Sequence, residues 1–61
     1  MKFREIRRLL RKDGWHRVRC EGSHEQWTHP RKAGKVTVAG HDSAEVAPKT
    51  LQSIRRQAGW R

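Results

Sequence analysis

Within 61 residues the hydrophobic period changes twice, from helical to alternating and back to helical. Phe3, Ile6, Leu9 and Leu10 recur at helical spacing over residues 2–13, with Arg4, Arg7, Arg8 and Arg11 on the other side. Gly14 follows as a left-handed C-cap, and Arg11 and Lys12 in the last turn suit the helix dipole. A helix of about a dozen residues is marginal alone, so this stripe needs a surface to cover. Residues 15–20 then alternate as a strand, His16, Val18 and Cys20 against Arg17 and Arg19. Glu21-Gly22 makes a turn and residues 23–29 return as a second strand. After a turn at residues 30–34, residues 35–39 form a third strand, Val36 and Val38 on one face, Lys35 and Thr37 on the other. Residues 40–47 read as a polar loop. Pro48 occupies a first helical position, Leu51, Ile54 and Ala58 mark an inner face, Gly59 ends the helix, and Trp60 folds back as a clasp.

The predicted fold is α+β, in the order helix, three antiparallel strands, helix. Each helix has one apolar stripe, so both should cover the same sheet face. Strand parity points Val18, Trp27, Val36 and Val38 at the helices. The outer face then carries Arg17, Arg19, His24, Gln26, Thr28, Lys35 and Thr37, a basic and hydrogen-bonding surface. Residues 1–61 should form one domain, and a domain this small buries only about 60% of its unfolded surface, leaving a thin core that a partner would stabilise.

Lys and Arg number 15 against 6 acidic residues, a formal charge of +9. At this size the positive field reaches most of the surface, which points to nucleic acid or another polyanion. The regular apolar spacing excludes a disordered basic tail. Cys20 is the only cysteine, so no intrachain disulfide forms, and its default role is a small half-buried hydrophobe in a reducing compartment. The basic N-terminal segment lacks the apolar stretch of a signal peptide or membrane span. No membrane role is expected.

Of four histidines, His16 is expected to be packed beside Val18 or solvated, His29 to shape the turn before Pro30, and His41 to lie in the loop. His24 begins the second strand on the outer face, directly after Gly22-Ser23. In the simplest hairpin register Arg19 lies opposite it, setting an imidazole beside a cation that also binds phosphate. RNA cleavage needs little more: a base takes the 2′-hydroxyl proton, and nearby cations stabilise the phosphorane. A surface histidine without a role is the plainer reading from residues alone. The histidines and Cys20 form no compact ligand pattern, so neither a metal nor any other cofactor is expected. Trp15, Trp27 and Trp60 read as core and clasp ahead of base-stacking platforms.

Taken in order, Asp13-Gly14-Trp15, Gly22-Ser23-His24, His29-Pro30 with Gly34, Val36-Thr37-Val38, and Thr50-Leu51 through Ser53-Ile54 to Gln57-Ala58-Gly59 cover nearly the whole chain. This set resembles the HicA toxins of bacterial HicA–HicB toxin–antitoxin modules. The resemblance implies a fold similar to a double-stranded-RNA-binding domain, cytoplasmic mRNA cleavage without a metal, His24 as the essential catalytic residue, and a HicB-type antitoxin as partner. Arg17, Arg19, Gln26 and Lys35 are the expected RNA contacts. Many relatives carry a second histidine where this chain has Glu25, Phe or Tyr at Trp27, proline at Ala39 and glycine at Lys49. The competing classes are an RNA-binding module of the same fold that cuts nothing, and a small DNA-binding or ribosome-associated protein.

Overall fold

The computed structural model describes residues 1–60. The elements are α1 (Phe3–Asp13), β1 (His16–Glu21), β2 (His24–Thr28), β3 (Val36–Ala39) and α2 (Pro48–Ala58). This is an α+β fold with an antiparallel sheet in the order β1-β2-β3. Gly14 ends α1 at φ 103°, where its N–H donates to Arg11 O, and Trp15 N–H donates to Leu10 O at 2.9 Å. Pro48 opens α2, its fixed φ suiting the first helical turn.

Both helices bury their stripes on one sheet face. Phe3, Ile6 and Leu10 of α1 and Ile54 and Ala58 of α2 form a single core with Trp15, Trp27, Val36, Val38 and Val46. Parity holds for β2 and β3, where buried and more accessible residues alternate. Trp60 packs on this core as a clasp, with its indole N–H donating to Asp13 Oδ2 at 3.2 Å. Asp13 Oδ2 also accepts from Trp15 Nε1 at 2.9 Å and Lys32 Nζ at 2.7 Å. His29 shapes its turn: Nδ1 accepts the Arg31 N–H at 2.9 Å, and Nε2 lies 2.7 Å from Asp13 O.

Several expectations fail here for identifiable reasons. In β1 the register jumps between Arg17 and Arg19, a bulge that leaves Val18 without a cross-strand partner and 60% exposed. Every residue of β1 is exposed, because the helices cover β2 and β3 and leave β1 overhanging the core. His16, opposite Thr28, takes the solvated one of its two expected roles, and Cys20 is exposed, not half-buried. In α1 the buried set is Phe3, Ile6, Arg7 and Leu10, with Leu9 only half-buried. The segment after β3 is more than a polar loop. Val46 enters the core, Phe3 N–H donates to Ala44 O at 3.1 Å, and Val46 N–H donates to Met1 O at 2.9 Å.

Candidate functional site

The face of the sheet turned away from the helices presents His24 at the start of β2. Directly opposite it on β1 is Glu21, and on β3 is Ala39. The hairpin turns at Gly22-Ser23, one residue later than the expected Glu21-Gly22, so Arg19 lies opposite Gln26, diagonal to His24, and is ion-paired with Glu21. Arg19, Glu21, His24 and Gln26 together line a shallow cleft. Gln26 Oε1 accepts the Thr37 hydroxyl at 3.3 Å across the strands. The His24 ring is exposed and makes no hydrogen bond to the described residues.

Of the expected RNA contacts, Arg19 and Gln26 share this cleft with His24. Lys35 is exposed one residue before β3 begins, outside the strand predicted to contain it. Arg17 departs from the prediction. Its cross-strand partner is Trp27, a core residue, so the bulge turns Arg17 to the helix side of the sheet. There Nη1 donates to Glu25 Oε2 at 3.2 Å.

Sequence reasoning missed the group beneath the site. Glu25 is buried, its Oε1 accepting from Arg7 Nε at 3.0 Å and Trp27 Nε1 at 3.2 Å. Arg7 is buried too. Its Nη1 donates to Asp42 Oδ1 at 2.6 Å and its Nη2 to Gly40 O. Burial pushes the Glu25 carboxyl up, but the hydrogen bonds and charge of Arg7, the Trp27 N–H and Arg17 outweigh it and hold the group below its ordinary value. The signal was present: Glu25 shares the strand parity of Trp27, and Arg7 sits between Phe3 and Leu10 at helical spacing.

A second cavity opens at the end of the sheet, lined by Gly22, Ser23 and Glu25 from one side and Ala39, Gly40 and His41 from the other, with Arg7 between them. Among the described residues no three His, Cys, Asp or Glu side chains gather as a metal site. No helix is long and apolar enough to cross a membrane.

A comparison with curated proteins gives no match. Residues 3–60 match the family model described as HicA toxin of bacterial toxin-antitoxin. With nearly the full chain matched, and with the order of elements and the Gly-Ser-His hairpin in place, the chain belongs to the HicA family of toxins from bacterial toxin–antitoxin systems.

Proposed function

We propose that this toxin is a single-domain endoribonuclease of a type II module that cuts mRNA in the bacterial cytoplasm without a metal, with His24 as its essential catalytic residue. The observation that carries this reading is an exposed imidazole, without a hydrogen bond to the described residues, in a cleft it shares with Arg19 and Gln26. The His24 ring takes the proton of a ribose 2′-hydroxyl. The oxygen attacks the adjacent phosphorus, and the bond to the 5′-oxygen of the next nucleotide breaks. Arg19 and Lys35 supply positive charge to the phosphorane, while the Gln26 amide can read a base edge or sugar. The route uses only a proton acceptor and cations, so no metal enters it.

Arg17 is a weaker RNA contact in this scheme, because Glu25 holds its guanidinium. The partner is a HicB-type antitoxin, and its acidic surface suits a chain of charge +9. We place the inhibitor over His24, since the catalytic ring and its neighbouring cation share one exposed face.

The test is expression of the chain in bacteria without an antitoxin, beside a His24→Ala variant. The parent should arrest growth and fragment mRNA, and the variant should do neither. A variant that remains as toxic and leaves the same RNA fragments would point to a different catalytic group, and a parent that arrests growth while mRNA stays intact would favour a binding module that cuts nothing.

A further inference from the structure

Displacement at phosphorus has two ends. The attacking 2′-oxygen must lose a proton, and the departing 5′-oxygen must gain one. These oxygens lie in line on opposite sides of the phosphorus, so a single ring placed for the first is badly placed for the second. Glu21 stands directly opposite His24 but is ion-paired with Arg19. Arginine and lysine hold their protons too tightly to act as ready acids near neutrality. Among the histidines, His29 has both ring nitrogens engaged, and His16 lies at the other end of the β1–β2 ladder, opposite Thr28.

His41 remains. Ala39 is the β3 partner of His24, and the chain continues Gly40-His41 past the strand end toward the Gly22-Ser23 turn. The cavity there is lined by Ser23 and Glu25, which flank His24 in sequence, and by Ala39, Gly40 and His41. His41 is exposed, and its ring makes no hydrogen bond to the described residues.

The backbone on both sides is held by one group. The Arg7 guanidinium binds Glu25, the residue after His24, and also Gly40 O and the Asp42 carboxylate, the residues on either side of His41. Further hydrogen bonds fix the His41 segment: Arg4 N–H donates to Asp42 O at 3.2 Å, and Ala44 N–H donates to His41 O at 3.0 Å. A buried arginine thus ties the neighbours of two histidines at the same end of the sheet, His24 in the outer-face cleft and His41 in the cavity at the strand ends, neither hydrogen-bonded to the described residues.

We propose that His41 is a second catalytic group, the acid that protonates the leaving 5′-oxygen while His24 acts as the base. This rests on the reading that the chain cuts RNA through His24. The step balances. His24 gains the 2′-hydroxyl proton, the new 2′-O–P bond replaces the P–O5′ bond, and His41 gives its proton to the 5′-oxygen. The products are a 2′,3′-cyclic phosphate and a 5′-hydroxyl end.

A leaving group that needs no proton isolates the role. The substrates are a short RNA containing one site cut by the parent toxin, and the same RNA with sulfur in place of the scissile 5′-oxygen. His41→Ala should cut the ordinary RNA at least ~100-fold more slowly, within the range usual for loss of a general acid. It should cut the sulfur-bridged RNA within a few-fold of the parent, a rate that also certifies its fold. His24→Ala should be slow on both. If His41→Ala slows both RNAs alike, or leaves both unchanged, His41 is not the acid. If the parent cuts neither RNA, or His24→Ala matches the parent on both, the catalytic reading of His24 falls and the role of His41 falls with it.

Discussion

Glu25 and Arg7 are charged residues in a core that a 61-residue chain can barely assemble, and their pairing makes that tolerable. Removing one partner from a buried pair costs about 3–5 kcal/mol, and Arg7 would keep the largely exposed Asp42 carboxylate, which places the loss at the lower end of that range. Glu25→Ala should therefore destabilise the toxin by roughly that much in urea unfolding. Arg17, half-exposed on the same carboxylate, should lose no more than ~1 kcal/mol when changed to Ala. Equal losses would mean that the buried pair is not the anchor. Acid should act on the same group. Both Glu25 and Asp13 are held below their ordinary values, Asp13 chiefly by the Lys32 hydrogen bond, then by that of Trp60. A depressed carboxylate contributes stability above its unfolded pKa and loses it as pH falls through the folded value. Stability should thus drop on acidification below about pH 4.5, the region where free carboxylates protonate, and Glu25→Gln should make that limb shallower in pH-dependent unfolding. An unchanged limb in the variant would contradict this. The position of His24 on the outer face was legible from strand parity. The core-facing positions of Glu25 and Arg7 were legible too, but their pairing was not, because charged residues at core positions are read as solvated until the partner that neutralises them is known.

At the level of elements, α1, β2, β3 and α2 follow from apolar spacing and end signals. Pro48 and Gly59 bracket α2 as expected. The register of β1 does not follow. Arg17-Val18-Arg19-Cys20 alternates as an unbroken strand would, and only pairing with β2 shows the Gly22-Ser23 turn that places Arg19 with Gln26 and the bulge that places Arg17 with Trp27. The His24 neighbourhood therefore differs from the simplest register at Arg19 and Glu21, and further along the strand at Arg17. The segment joining β3 to α2 was misread for a related reason: its polar residues conceal backbone bonds to the start of α1. Gly40 is where this segment meets the core, and a Cβ there would lie 2.3 Å from Phe3 Cε2. Gly40→Ala should force the Phe3 ring aside and cost about 1–3 kcal/mol in unfolding experiments, as overpacking usually does. A variant as stable as the parent would mean that Phe3 and Gly40 are not held together. Gln57 Oε1 accepts the Thr37 N–H at 2.9 Å, so α2 covers part of the β3 edge while β1 stays exposed.

For the whole molecule, a charge of +9 on 61 residues means that the proposed association with RNA should be driven by electrostatics. Contact with ~4 phosphates of a single strand gives a log–log salt slope of about −3. Reversing Lys35 to Glu should flatten that slope more than reversing Arg17, because Arg17 is engaged by Glu25 and Lys35 has no ion pair among the described residues. A parent slope near zero would leave the outer face without its proposed role. The central claim is narrower: His24 cuts RNA through the ribose hydroxyl. Its most direct test is purified parent toxin against His24→Ala, matched by circular dichroism, on one RNA oligonucleotide in EDTA and monovalent salt, with a copy carrying a single 2′-deoxy sugar at the cut position. The parent should cut the RNA and spare the deoxy copy at that position, and His24→Ala should cut neither. Cleavage by folded His24→Ala at the parental rate, or parental cleavage beside the deoxy sugar, would contradict the account.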